Sequence, residues 1–452
     1  STTKLSGFQY TYDKVGNIKK IVNQVDSSYW NYSYDSLGQL RFASEYQSNG
    51  VASNRYKYFY DNAGNLTSWV IQDNSGTVTK VSHTYSYDDA DWLDLLTAFD
   101  GETITYDGAG NPLSYYNGSR YTFTWQNGRQ LASTNVGGVA YNYQYDASGI
   151  RTRKTNFDGG YTEYYVVEGL AIAEDRFRAN GTKQYTLRYL YDESNSPVGF
   201  GIRYATSSPY WQYYYFGKNI QGDVIALYRS DYNSSSQSYY PTLVATYSYD
   251  PWGTPTGIYD ANGNSISQTA YNVAAYNPFR YRGYRYDGDT RLYYLQSRYY
   301  DPAIGRFINA DKYAGTGQGY LGYNMFAYCL NNPVCYDDEN GELSWQQVFY
   351  VGVTTALIGF AILTALPTGG GSLLLAGAGG GAMAASAATA TAAATASAQI
   401  AIVGGTAAAA ASIMYSSSKP PTSRNQMQKQ VENGQAPKEV DRVDGVHTNL
   451  KP

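Results

Sequence analysis

The sequence predicts an all-β protein built from many short hairpins. Three observations support this prediction: of 452 residues, 52 are tyrosine, 46 are glycine, and only 15% are charged. Tyrosine and threonine favour strands, whereas glycine, asparagine and aspartate favour the tight turns between them. The chain is long enough for a large repeat array with additional segments.

A short unit of the form Tyr-x-Tyr-Asp-x-x-Gly-Asn/Gln recurs along the chain. The clear copies contain Asp13, Asp35 and Asp61, and successive clear copies lie roughly twenty to twenty-seven residues apart. Weaker copies contain Asp107, Asp146, Asp192 and Asp250. A period of this size indicates one supersecondary unit per repeat.

Each copy has the composition of a hairpin. Two tyrosines at i and i+2 lie on one face of a strand, the aspartate can bond the turn backbone, and glycine supplies a positive φ. One hairpin is too small to be stable alone, so neighbouring units must stack. The periodicity leaves an open β-solenoid, a propeller and a curled shell as alternatives.

Composition excludes several classes of function. The formal net charge is -4 and no basic patch is present, so we expect no nucleic acid as a partner of the β body. Two histidines exclude most histidine-based catalysis and zinc sites, and we expect no cofactor. Cys329 and Cys335 are too few for a disulfide framework, and two buried thiols are favoured over one bridge. The chain starts at Ser1 without a signal-peptide pattern, which is typical of a fragment.

The repeats, and one later segment, resemble those of the RHS/YD-repeat superfamily. Residues Tyr281 to Asp311 read YRGYRYDGDTRLYYLQSRYYDPAIGRFINAD and resemble the RHS repeat-associated core signature, as does NMFAYCLNNPV from Asn324 to Val334. The resemblance extends from about Tyr10 to about Leu343. It implies hairpins wound into a spiral shell around a variable C-terminal toxin, as in wall-associated-protein-like polymorphic toxins.

The same resemblance implies an intramolecular aspartyl protease. In several family members two aspartates, each before a proline, cleave the chain just after the core. The matching positions are Asp311 and Asp338, with Arg306 as the partner that would keep one carboxylate ionised and cleavage near Leu343–Ser344. Acid–base work by two carboxyl groups requires them to lie close enough to share a proton.

This chain departs from the family pattern around both aspartates. Neither aspartate is followed by proline, and one additional residue precedes the expected cleavage point. The residues that depart from the pattern are Lys312, Glu339 and Glu342. The alternative interpretation is that both aspartates cap turns and have no catalytic role.

Arginines alternate with aromatic residues in the core signature. Arg280, Arg282, Arg285 and Arg298 follow this pattern. We expect their guanidinium groups to stack on tyrosine faces rather than to bind nucleic acid.

The resemblance and the composition together divide the chain into four parts. The resemblance implies a YD-repeat body at residues 1–270 and, at 271–343, an RHS-associated core that plugs the shell. Residues 344–418 contain no Asp, Glu, Lys or Arg, and Trp345–Leu366 is long enough to cross a bilayer as a helix. Alternatives for this part are a segment kept inside the shell until delivery and a plain Ala-rich linker. Residues 419–452 form a polar tail, predicted to begin a toxin domain.

Two functions from different classes follow from these features. The first is a secreted or cell-surface delivery shell whose partners are its own C-terminal cargo, a target-cell membrane and a cognate immunity protein. The alternative is a cell-surface adhesive protein whose tyrosine-rich faces bind wall glycans. Self-cleavage as the main activity is a third hypothesis.

Overall fold

The structure, a computed structural model, describes residues 7–206, 210–268, 272–312, 319–338 and 341. These residues form 27 strands and one short α-helix, α1 (Val273–Tyr276), which confirms the all-β prediction. The predicted segment Trp345–Leu366, and all of residues 344–452, lie outside the described residues. Within the described ranges, no helix is both long and apolar enough to cross a bilayer.

The first nine strands form one antiparallel sheet in which every strand pairs with the next one along the chain. The strands are β1 Phe8–Tyr12, β2 Ile18–Asn23, β3 Tyr29–Tyr34, β4 Leu40–Tyr46, β5 Ala52–Tyr60, β6 Leu66–Gln72, β7 Thr79–Ser86, β8 Ala98–Phe99 and β9 Glu102–Thr103. This sheet contains the three clear copies of the repeat.

The next fourteen strands form a second sheet with the same sequential order. They are β10 Thr105–Tyr106, β11 Pro112–Tyr116, β12 Arg120–Gln126, β13 Gln130–Val136, β14 Val139–Tyr145, β15 Arg151–Thr155, β16 Tyr161–Val167, β17 Leu170–Phe177, β18 Lys183–Tyr191, β19 Pro197–Tyr204, β20 Gln212–Lys218, β21 Val224–Asn233, β22 Ser238–Tyr249 and β23 Pro255–Asp260. Helix α1 follows β23 and packs on the face formed by β18–β23.

The core signature forms a small four-stranded antiparallel sheet. Its strands are β24 Arg285–Asp287, β25 Leu292–Leu295, β26 Arg298–Asp301 and β27 Arg306–Phe307. Three 3-10 helices lie at Tyr281–Gly283, Gly319–Tyr323 and Cys329–Asn331. Strands β25 to β27 are buried along their whole length.

The aspartate of each repeat closes the turn that follows it. At Asp61, Oδ1 accepts the N–H groups of Ala63 and Asn65, both at 2.8 Å, and Oδ2 accepts Asn65 Nδ2 at 2.9 Å. Gly64 has φ 79°, a value that disfavours any residue with a Cβ. The predicted turn chemistry is therefore confirmed. The same pair of Oδ1 bonds recurs at Asp13, Asp35, Asp107, Asp146, Asp192 and Asp250.

The tyrosine before each aspartate connects its repeat to the preceding one. Tyr60 Oη donates to the carbonyl of Leu40 at 2.8 Å, and Tyr87 Oη donates to the carbonyl of Leu66 at 2.9 Å. Each acceptor lies at or next to the first residue of the preceding return strand. Equivalent bonds join Tyr34, Tyr145, Tyr191 and Tyr249 to the carbonyls of Ile18, Leu131, Ala171 and Val224. Each such bond contributes about 1 kcal/mol net.

The turn after Asp250 is a junction between all three sheets. Trp252 is fully buried, and its ring lies 5.8 Å from Tyr58 and 6.4 Å from Trp69 of the first sheet. Three tyrosines of the core signature donate to successive carbonyls of this turn. The pairs are Tyr281 to Pro251, Tyr300 to Trp252 and Tyr293 to Gly253.

The segment after β27 returns to the earliest repeats. Asn331 Nδ2 donates to the carbonyl of Gly64 at 2.6 Å, and Asn332 Nδ2 donates to Asn17 Oδ1 at 3.2 Å. Both asparagines are buried. Their amides thus satisfy polar groups of turns that lie hundreds of residues away along the chain.

The pH dependence of stability is predicted from Asp250. Burial raises the pKa of this carboxyl to about 7, because loss of hydration outweighs the turn N–H bonds that favour its charged form. The folded state therefore keeps a proton that the unfolded state loses near pH 4, and the free energy of unfolding falls as pH rises from about 4 to about 7. Asp250→Asn keeps the acceptor oxygen without titrating, so we expect it to be roughly 1–3 kcal/mol more stable than the wild type at pH 8.

Urea unfolding at pH 5 and pH 8 measures this effect. At pH 5 the difference between Asp250→Asn and the wild type should shrink. Asp146→Asn, in an equivalent turn that is more exposed, is the matched control and should gain no such stability. Equal differences at both pH values would contradict the prediction.

Candidate active site

Asp311 and Asp338 lie against the same arginine. Nη2 of Arg298, on β26, is 2.9 Å from Oδ2 of Asp311 and 3.4 Å from Oδ2 of Asp338. All three side chains are buried, with exposed fractions of 5% for Arg298, 7% for Asp311 and 0% for Asp338. The structure thus brings the two predicted aspartates together through a residue for which sequence analysis predicted only stacking.

The remaining contacts of Arg298 fix its orientation. Nε donates to the carbonyl of Gly341 at 2.5 Å, and Nη1 donates to the carbonyl of Met325 at 3.0 Å. The guanidinium carbon lies 3.5 Å from the centroid of the Phe307 ring. A planar donor group held from several sides is well suited to orienting carboxylates.

Backbone contacts position each aspartate. The N–H of Asp311 donates to the carbonyl of Met325 at 2.8 Å. The N–H of Asp338 donates to Tyr284 Oη at 2.6 Å, and that hydroxyl also accepts Tyr328 Oη at 3.2 Å. Both tyrosines are buried. Asp338 is therefore anchored by a tyrosine pair that belongs to the family signature.

Arg306 lies apart from this cluster. Its Nη1 donates to Tyr87 Oη at 2.5 Å, and its Nη2 donates to the carbonyl of Asp94 at 2.6 Å. Arg306 of β27 pairs with Asp301 of β26, so these two side chains share one face of the sheet. Arg298 lies three residues before Asp301 on β26, so its side chain is on the other face. Contact with the carboxylates is thus made by Arg298, and the partnership predicted for Arg306 is not among the contacts of the described residues.

The described chain approaches the cluster again at Gly341. Its φ is 74°, and a Cβ at this position would lie 2.7 Å from Ser297 Oγ and 2.9 Å from the carbonyl of Leu295. Only glycine fits against this turn between β25 and β26. Leu343–Ser344, the expected cleavage point, lies outside the described residues, two positions beyond a residue in contact with Arg298.

A second group of buried charges, around Asp287, is paired and has a structural role. Asp287 Oδ2 lies 2.5 Å from Nη1 of Arg151, and its Oδ1 lies 3.5 Å from Nζ of Lys154. Burial opposes ionisation of Asp287, but these two cations outweigh it and lower the pKa to about 2. Sequence analysis missed this network, although the Arg-x-x-Lys spacing at the start of β15 was visible.

Asp301, in the Asp-Pro of the core signature, also has a structural role. It accepts Tyr115 Oη at 2.7 Å and Asn117 Nδ2 at 2.6 Å, which ties β26 to the second sheet. Burial raises the pKa of this carboxyl despite these bonds. Its side chain faces away from Arg298 because the two residues have opposite parity along β26.

Stacking on tyrosine is confirmed for three of the four predicted arginines, and both cysteines are free thiols, of which one is buried. The guanidinium of Arg280 lies 4.5 Å from the centroid of the Tyr247 ring, and that of Arg285 lies 5.1 Å from Tyr189. Arg282 lies 5.1 Å from the ring of Tyr281. Both cysteines are free thiols: Cys329 is buried and Cys335 is half-buried.

Comparison with known proteins identifies relatives that include a nuclease and a toxin subunit. The tRNA3(Ser)-specific nuclease WapA of Bacillus spizizenii is 31% identical over 317 residues, which are 69% of this chain and 12% of that protein. Toxin subunit YenC1 of Yersinia entomophaga is 27% identical over 378 residues, covering 74% of this chain and 36% of the subunit. The chain belongs to the RHS/YD-repeat superfamily. No protein-family model matches it.

The superfamily also includes proteins not named as toxins. Teneurin-3 of Mus musculus is 23% identical over 394 residues, covering 80% of this chain and 13% of the teneurin. The crystal structure of TcdB2-TccC3-Cdc42 is similar to this chain, with a TM-score of 0.52 and 20% sequence identity. The match covers 77% of this chain and 17% of the crystallised chain, and it supports the observed fold. The aligned part of this RHS-repeat chain is about an eighth of the length of WapA.

Removal of the arginine at this site is expected to destabilise the fold. Arg298→Gln leaves two buried carboxyl groups without their cation, which typically costs about 3–5 kcal/mol. Urea unfolding at pH 7 measures this loss. The matched control is Arg120→Gln, whose ion pair with Glu102 is exposed at 60% and 48% and should change stability by less than about 1 kcal/mol. Similar losses in the two variants would contradict a buried role for Arg298.

Proposed function

We propose that this chain is the C-terminal part of a toxin-delivery shell and that it cleaves itself after the core. In this proposal residues 1–270 contribute hairpins to the shell, residues 271–343 plug it, and the chain beyond residue 343 is cargo. The shared arginine of Asp311 and Asp338 is the observation that carries the cleavage step. Similarity to WapA and to a toxin subunit supports the delivery role.

In this proposal Asp311 and Asp338 act as a protease dyad that shares one guanidinium. One protonated and one ionised carboxyl group is the state that an aspartyl protease requires.

The reaction is hydrolysis of the peptide bond between Leu343 and Ser344. The ionised aspartate takes a proton from a water molecule, whose oxygen attacks the carbonyl carbon, while the protonated aspartate donates its proton to the carbonyl oxygen. When the C–N bond breaks, the amine of Ser344 leaves with a proton and Leu343 ends in a carboxylate. One water is consumed, and the aspartates finish with the protons they had at the start.

The proposed delivery role implies further partners. The chain would act outside the producing cell, at a surface or after secretion. Its uncharged part, 344–418, including Trp345–Leu366, would enter or cross a target-cell membrane. The tail 419–452 would lead into a toxin domain, and a cognate immunity protein would protect the producer.

Autoproteolysis predicts two fragments from residues 1–452. We expect the wild type to yield 1–343 and 344–452, whereas Asp311→Asn and Asp338→Asn should slow cleavage by about 10²–10⁴-fold. Intact-mass spectrometry at several times after purification measures the fragments. The neighbouring buried residue Asp337 provides the control, since Asp337→Asn should still cleave. An uncleaved wild type would exclude self-cleavage.

Arg306 provides a second control for this assignment. Because its side chain contacts Tyr87 and the carbonyl of Asp94 instead of the dyad, Arg306→Lys should cleave at nearly the wild-type rate. Loss of cleavage in this variant, with unchanged stability, would return the catalytic partnership to Arg306.

A second candidate function is glycan binding by exposed tyrosines. Tyr232 and Tyr239 lie opposite each other on the β21–β22 hairpin with ring centroids 5.0 Å apart, and they are 54% and 38% exposed. Flat aromatic faces with polar tips suit sugar rings. A glycan array probed with the intact chain and with Tyr232→Ala/Tyr239→Ala tests this: equal signals would exclude this pair as the binding surface.

A further inference from the structure

A cavity of about 240 Å³ adjoins the candidate active site. Asp311 and Gly341 both contribute to its wall, so the cavity borders one catalytic candidate and the last described residue before the expected cleavage point. The remainder of the wall comes from the β12–β13 and β14–β15 turns of the second sheet and from the β25–β26 turn. The contacts described above for the two aspartates, the repeat turns and the buried ion pairs do not account for this cavity.

One wall of the cavity is apolar. Leu131 is fully buried, and Tyr145 and Tyr299 stand beside it with their hydroxyl oxygens 3.0 Å apart. Ala310 completes this side. A pocket of this size and lining matches one branched aliphatic side chain better than a large ligand.

The cavity lining also includes a guanidinium. Arg129 lines the cavity, and its Nη1 donates to the carbonyl of Ala310, the residue before Asp311. Among the described residues, no carboxylate lies within ion-pair distance of Arg129. Arg129, Arg298 and Lys312 thus give the cavity cationic groups next to its apolar residues, and Arg129 is bonded to the backbone that carries Asp311.

The residues that follow Gly341 have matching chemistry. They are Glu342, Leu343 and Ser344, an anionic side chain followed by a branched aliphatic one. Two extended residues span about 7 Å, which is enough to cross a cavity that begins at Gly341. Glu342 is also the residue that this chain has in addition to the family pattern, so its cationic counterpart is expected nearby.

We propose that this cavity is the substrate subsite, in which Arg129 binds the carboxylate of Glu342 and Leu131 packs against Leu343. The role of this cavity in catalysis rests on the proposed function. Occupancy of the cavity by residues 342–344 can be tested without any cleavage. In this arrangement Arg129 is a positioning residue: it contacts the substrate segment and, through Ala310, the strand end that bears Asp311.

Charge reversal tests the ion pair. Arg129→Glu and Glu342→Arg should each lower the rate of self-cleavage by about tenfold, because each places like charges in the subsite. The double variant restores opposite charges and should recover to within about threefold of the wild type. Arg120→Glu, at an exposed position on the second sheet, is the control and should cleave normally. Failure of the double variant to recover, with both single variants impaired, overturns the pairing.

Disulfide trapping tests occupancy independently of catalysis. The chain carries Asp338→Asn to prevent cleavage and Cys335→Ser to remove the half-buried thiol. Ser148, on the cavity wall, is changed to cysteine together with Leu343→Cys, and mild oxidation is followed by mass spectrometry of the linked peptides. Ser75→Cys with Leu343→Cys is the control, because Ser75 lies in an exposed turn of the first sheet.

The outcomes separate the two proposals. A crosslink from position 148 well above the control supports occupancy of the cavity, and yields equal to the control overturn it. If the crosslink forms while the wild-type chain never cleaves, the autoproteolysis proposal fails. The cavity is then a binding site for the chain's own C-terminal segment rather than a substrate subsite. If the wild type cleaves but neither the crosslink nor the charge-reversal recovery is seen, the subsite assignment alone fails.

Discussion

The fold depends on two hydrogen-bonding side chains in each repeat. The aspartate closes its own turn, and the preceding tyrosine bonds a backbone carbonyl of the unit before it. At six tyrosines these contacts add a polar link between consecutive hairpins to the hydrogen bonds of the strand ladder. Neither link requires a particular residue at its acceptor, because both use backbone groups. The intervening sequence can therefore vary while the Tyr-Asp pair stays.

The parts of the fold that follow from local chemistry were predictable from the sequence. The Asp-x-x-Gly spacing specifies a turn, and the turns specify hairpins. The hydroxyl bond of the second tyrosine was not predictable, because its acceptor belongs to another unit and any carbonyl could serve. Pairing of every strand with its chain neighbour likewise required the coordinates, since periodicity allowed several architectures.

The candidate site shows the same division between local and distant information. Asp311 and Asp338 were identified from the motifs that surround them, and they meet at one side chain. The choice of Arg306 as their partner rested on its nearness in sequence to Asp311. Strand alternation sends that side chain to the opposite face, and the arginine that contacts both carboxyl groups lies 13 residues before Asp311. Nearness in sequence is a poor guide within a tight four-stranded sheet.

The return of Asn331 and Asn332 to the turns of the first repeats has a consequence for the order of folding. Hairpins that pair only with their chain neighbours have low contact order and can form one after another as the chain emerges. The contacts of Asn17 and Gly64 with the core segment close loops of roughly 300 residues, and such closures come late. The N-terminal repeats would thus remain open until synthesis has passed residue 332. In the proposed delivery shell, cargo would therefore be enclosed only after that point.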